Sequence, residues 1–120
     1  SASSPAARHA TTTTGMAANP NVTAYYSCTN GKVVVALFNL SGTSNATTVT
    51  ITGFPASIWP TQTQTFGPLI ATDNGAYIYT CYGSLSTSGV MTLYTTAAGA
   101  AWTGSGTKAL FPHQHVYSLA

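Results

Sequence analysis

The sequence predicts an all-β fold: an antiparallel β-sandwich, jelly-roll-like, with an extended N-terminal arm. Three observations predict it. Glu is absent and the Leu residues never form a three-and-four repeat, so no amphipathic helix can be drawn. β-Branched and aromatic residues dominate from residue 22 onward, and they suit a pleated, half-buried surface. Turn signals recur about every eight to twelve residues, which spaces out roughly seven or eight short strands.

Residues 1–20 read as the arm and residues 21–120 as the sandwich. The arm is low in complexity, with Ala, Ser and the run Thr11, Thr12, Thr13, Thr14. It has no apolar periodicity, so it is expected to be flexible or ordered only against a neighbour. It lacks the hydrophobic core of a signal peptide and begins with Ser. Residues 22–28 are a first strand. Asn30-Gly31 is a strong hairpin signal, because both positions tolerate positive φ. Residues 32–40 return as a nearly continuous apolar strand, which implies burial on both faces or a subunit contact. Residues 41–45 read as a Gly-containing turn. Residues 47–54 alternate, with Val49 and Ile51 on one face and Thr48, Thr50 and Thr52 on the other.

Residues 55–68 read as a long loop holding Trp59. A short strand at 69–72 meets the tight turn Asp73-Asn74-Gly75. Residues 76–85 form a long strand, with Tyr77, Tyr79 and Cys81 expected on one face and Ile78, Thr80 and Tyr82 on the other. A turn at 86–89 leads into a strand at 90–94. Residues 95–108 read as a second long loop, with Trp102, before strands at 109–111 and 116–119.

Composition excludes more than it assigns. The 120 residues fit one domain, and 44% are hydrophobic, enough for a single core. Charged residues are 3% of the chain, against roughly a quarter in an ordinary domain. They are Arg8, Lys32, Asp73 and Lys108, and the surface is covered by Thr, Ser, Asn and Gln instead. Such a surface is polar yet easy to desolvate, which suits a protein held in a larger assembly. The net charge of +2 comes from scattered residues, so no basic stripe is available for nucleic acid. No apolar run approaches the roughly 20 residues of a membrane helix.

Catalysis is not expected. Asp73 is the sole carboxylate side chain, whereas glycosidases need two. Neither a nucleophile elbow nor a phosphate loop is present. No cofactor is implied and no metal is favoured. His113 and His115 would share one face of a strand, and three chains around a threefold axis would bring six imidazole nitrogens together. Cys28 and Cys81 read as buried thiols, with a disulfide between them as the alternative. Sequons start at Asn21, Asn39 and Asn45, in a chain where Thr and Ser make them common. The aromatic set Tyr25, Tyr26, Tyr77, Tyr79, Tyr82, Trp59 and Trp102 serves either core and subunit packing or a sugar-binding face. Trp59 and Trp102, being in long loops, are the candidates for contact with a host ligand.

A resemblance starts near Lys32. Val49-Thr50-Ile51-Thr52-Gly53-Phe54-Pro55 is followed by Asp73-Asn74-Gly75, Gly83-Ser84-Leu85 and Gly89-Val90-Met91-Thr92-Leu93-Tyr94. Trp102-Thr103-Gly104-Ser105-Gly106-Thr107-Lys108 and a last strand complete the order. This resembles the small β-sandwich domains of bacteriophage virion proteins, found in tail-fibre tips and in capsid decoration or head-fibre proteins. The resemblance implies a homotrimer without catalysis, exposed on the virion as part of the capsid exterior or a tail fibre. No shaft segment or repeats precede the sandwich here, which favours a small standalone virion protein, and a capsid decoration (cement) protein is the leading expectation. In that reading Arg8 and Thr11 to Thr14 of the arm bind the major capsid protein or another virion protein, and deleting the arm leaves the sandwich folded. A receptor-binding fibre tip for host surface glycan is the alternative, and a secreted glycoprotein domain is a third.

Overall fold

The computed structural model describes residues 4–17, 21–37 and 40–119. Along the chain these form β1 (Ser4–Thr14), β2 (Met16–Ala17), β3 (Asn21–Thr29), β4 (Lys32–Leu37), β5 (Leu40–Ser44) and β6 (Val49–Thr52). A single 3-10 turn (Ala56–Ile58) follows, then β7 (Gln64–Asp73), β8 (Ala76–Leu85), β9 (Met91–Tyr94), β10 (Thr107–Leu110) and β11 (His113–Ser118). The strand pairings are antiparallel, in the order β11-β4-β3-β1-β6-β9-β8-β7-β10-β5-β2. The sheet curls so that its halves face one another across one core. The architecture is therefore the antiparallel all-β sandwich that composition and turn spacing predict.

The curl closes through one residue. β1 and β2 are successive parts of one extended segment that meet at Gly15. β1 pairs with β3 and β6, whereas β2 pairs with β5 at the far end of the strand order. One segment thus joins the middle of the sheet to its end, making a barrel-like ring, and β3, β4 and β11 extend from β1 as a flap. Gly15 has φ 101°, and a Cβ there would overlap the Thr48 carbonyl oxygen. Only glycine combines that φ with that approach.

The described part of the arm therefore differs from expectation. Residues 4–14 are extended, but they are paired within their own chain, 4–12 with β3 and 12–14 with β6, rather than waiting for a neighbour. Residues 1–3 and 18–20 lie outside the described residues. The apolar pattern that marks most buried strands is missing here because the inward positions are Thr11 and Thr13, each 1% exposed. A deletion of the arm would remove the strand that pairs with both β3 and β6, so the sandwich is not expected to survive it.

Both hairpin signals take the expected form. Asn30 and Gly31 have φ of 52° and 76° between β3 and β4, and Asn74 and Gly75 have φ of 50° and 79° between β7 and β8. Positive φ at both central positions gives the twist that keeps the flanking strands paired. Alternation also holds in β6, where Val49 and Ile51 are buried, and in β4, where Val33, Val35 and Leu37 are buried. With Met91 and Leu93 of β9, Leu85 of β8 and Tyr117 of β11 they form the core. Each such aliphatic side chain contributes about 1.5–3 kcal/mol when fully buried. Residues 41–45, expected as a turn, lie largely in β5, which pairs with β10 and β2. Residues 64–68 of the expected long loop belong to β7.

A buried cation sits at the ring's seam. Lys108 of β10 is 0% exposed. Its Nζ donates to the Gly15 carbonyl at 3.0 Å and to the Ala46 carbonyl at 2.9 Å, and it lies 5.4 Å from the centroid of a Trp102 ring. Burial pushes its pKa down, and the Asp73 carboxylate partly opposes that shift. Cys28 and Cys81 are both buried and neither is in a disulfide. Desolvation pushes the Cys81 thiol up to about 12.

Candidate functional site

The hairpin β7–β8 carries the most exposed aromatic surface among the described residues. Tyr77 and Tyr79 are 65% and 64% exposed, and Ile70 on β7 is also exposed. Phe111 joins them: its ring meets Tyr77 edge-on at 5.9 Å, and its backbone N–H donates to the Ile70 carbonyl at 3.2 Å. The two tyrosines are two residues apart on one strand, so their Cα atoms stand about 7 Å apart on one face.

Paired bulges create this face. Between Leu69↔Cys81 and Ala71↔Ile78 the β8 strand has one extra residue, and between Phe66↔Gly83 and Leu69↔Cys81 the extra residue is on β7. The β8 bulge reverses which positions point inward. Before it, Ile78 packs on the core and Tyr77 and Tyr79 point out; after it, Cys81, Gly83 and Leu85 are buried. Tyr77 and Tyr79 therefore do not share a face with Cys81, which corrects the expectation from simple alternation.

The tip of the hairpin is fixed by hydrogen bonds to the loop at 95–106 and to β10. The Asp73 carboxylate accepts from the Thr103 backbone N–H and from the Thr103 hydroxyl, both at 3.0 Å. The Gly75 N–H donates to the Thr107 carbonyl at 3.1 Å. Gly106, with φ 80°, passes so close to Asn74 that a Cβ would overlap it. Asp73 is thus a structural residue, tying the hairpin to another loop rather than capping its own turn.

The other sequence candidates fall elsewhere. Trp102 is 3% exposed, and its indole N–H donates to the Leu93 carbonyl at 2.9 Å. It is a core residue and cannot reach an external ligand, which corrects its assignment as a contact. Trp59 stays partly exposed, with its indole N–H bonded to the Phe54 carbonyl at 2.8 Å and its ring packed on Gly89. Thr11 and Thr13 face the core, so they offer nothing to a partner. Thr12 and Thr14 point outward, and the Thr14 and Thr50 hydroxyls lie 2.5 Å apart. Arg8 falls on β1, but its side chain lies outside the described ones. Asn39 is outside the described residues, and Asn45 is exposed.

His113 and His115 do share a face of β11, as the spacing predicts. Their rings sit 5.5 and 5.0 Å from Phe66, and His115 also meets Tyr117 at 5.8 Å and Gln64 Oε1 at 3.3 Å. Among the described residues no group of three or more His, Cys, Asp or Glu could hold a metal ion. Burial pushes both imidazoles below the ordinary 6.5, and His113 adds to the shift of His115. The unfolded chain then binds protons at a higher pH than the folded one. Stability is full above about pH 6.5 and declines as pH falls through that value. Thermal melting should occur several degrees lower at pH 5 than at pH 7.5, and the gap should narrow in His115→Gln.

A second surface lies on the flap. Tyr25, Tyr26, Ser27, Val34, Ala36 and Gln114 line a shallow depression of about 200 Å³, and Val116 beside it is 49% exposed. Val34 and Ala36 alternate with the buried positions of β4 and are half-buried, so β4 is apolar on both faces but buried on one.

No protein-family model and no curated protein matches the sequence. Among solved structures, the fold is similar to the reovirus attachment protein sigma1, crystallised in complex with alpha-2,3-sialyllactose. The TM-score is 0.54 at 14% identity, over 94% of this chain and 64% of that one. The chain shares its fold with part of a viral attachment protein. It spans less than two thirds of that protein chain's length, and at this identity the likeness concerns the fold. Among the described residues no helix is long and apolar enough to cross a membrane.

Proposed function

We propose that this chain is a domain of a viral structural protein, exposed on the virion, whose task is to bind a receptor on the host cell. The observation that carries the reading is the fold likeness to an attachment protein over nearly the whole chain. The engagement of Asp73 with Thr103 supports a role in binding rather than in catalysis. Within that reading, a bacteriophage tail-fibre tip accords with the order of motifs from Val49 to Lys108. Capsid decoration takes second place, because its mechanism needs an arm free to reach a neighbour and β1 is already paired within the chain. Fluorescently labelled domain should bind susceptible cells saturably, and mild periodate oxidation of cell-surface sugars should remove the binding. Absence of saturable binding to every cell type in a panel of bacterial and animal cells would sink the proposal.

Self-association, with three copies as the expected number, accords with the apolar flap. Val34, Ala36 and Val116 present an uncharged aliphatic face that water does not favour. Val116→Glu changes a half-exposed position, so it should fold normally yet sediment as a monomer. An unchanged oligomer in that variant would place the contact elsewhere.

A further inference from the structure

Resting on the receptor-binding reading, we propose that the face formed by the exposed Ile70, Tyr77 and Tyr79 beside the half-buried Phe111 is a binding site for an uncharged glycan. Charge decides the occupant. β7, β8 and β10 together contain one carboxylate, Asp73, and one ammonium, Lys108. Asp73 is engaged by Thr103, and Lys108 is buried with its donors on the Gly15 and Ala46 carbonyls. The platform strands therefore present no free cation to a sugar carboxylate, sulfate or phosphate, and no free anion to an amine. An ionised ligand would lose water there without gaining a partner.

What the face does present suits a neutral pyranose. Its C–H face packs on a flat aromatic ring, while its hydroxyls exchange hydrogen bonds with phenol hydroxyls at the ring edge. Tyr77 and Tyr79 provide two such rings, carried on Cα atoms about 7 Å apart, so neighbouring sugars or two edges of one can be engaged. Their backbone is held by the sheet and by a tip anchored at Asp73 and Gly75, so little ordering is needed on binding. Tyrosine also loses less side-chain entropy on contact than a long flexible side chain does.

The test is a glycan array probed with the wild-type domain, Tyr77→Ala, Tyr79→Ala and Tyr79→Phe, each checked for an unchanged melting temperature. Wild type should bind neutral glycans, and sialidase treatment of the array should leave the signal intact. Each Ala variant should bind roughly tenfold more weakly, and Tyr79→Phe should retain most of the affinity through its ring. Binding that needs sialic acid, or that survives both Ala substitutions, overturns this site while leaving receptor binding in place. A wild-type domain that binds neither the array nor any cell overturns receptor binding itself. A concentration-dependent oligomer that Tyr77→Ala dissociates makes the face a contact between copies, and overturns the glycan site.

Discussion

Gly15→Ala is expected to destabilise the domain by more than about 4 kcal/mol, a fall in melting temperature of roughly 15 °C or more. Two effects add. The φ of 101° is strained for any residue with a Cβ, and that Cβ would overlap the Thr48 carbonyl oxygen, a backbone atom that cannot swing away. Relief by moving the chain would disturb the Gly15 carbonyl, which accepts both the Asn45 N–H at 3.2 Å and the Lys108 ammonium. Gly31→Ala is the control. Gly31 has φ 76° but nothing within 4 Å of an added Cβ, so it should cost only about 1 kcal/mol. Deleting residues 1–14 should go further and abolish folding, since β3 and β6 would each lose their shared neighbour. Thermal melts followed by circular dichroism check all three. A Gly15→Ala protein as stable as wild type would mean the ring does not close through this residue.

Lys108→Ala is expected to cost about 3–5 kcal/mol, and Lys108→Met distinctly less. The Ala variant removes a fully buried side chain and both hydrogen bonds to carbonyls. Met keeps the apolar stem beneath Trp102 and discards only the ammonium, whose burial is itself unfavourable. Gly15 O keeps the Asn45 N–H in either variant, whereas Ala46 O is left to share the one Ser44 hydroxyl proton, at 3.1 Å, with the Thr103 carbonyl at 2.7 Å. Urea denaturation of the two proteins gives the ordering directly. Equal losses would assign the whole effect to the charge rather than to packing.

The sequence showed whatever depends on local chemistry. Two Asn-Gly pairs set their own turns, β6 displayed its alternation, and β8 took the bounds 76–85 because aromatic and β-branched residues fill it. Tertiary decisions were hidden. β1 is buried through threonines, which look like surface residues, and Thr13 Oγ1 is left without a hydrogen-bond partner among the described atoms. β5 contains Gly42 and three hydroxyl residues, so its composition mimicked a turn. The candidate site was half legible. Tyr77 and Tyr79 stood out as aromatics, but the bulge that turns them outward has no sequence mark, and Ile70 and Phe111 join them only through the pairing of β7 with β8 and β10. Trp102 misled because a loop position suggests exposure, whereas its indole fills the core.

The most direct test of the account is cell binding by the labelled domain beside a Tyr77→Ala/Tyr79→Ala double variant with the same melting curve. The wild type should bind saturably, and the double variant should lose roughly tenfold or more of the affinity. Equal binding by the two proteins would contradict it.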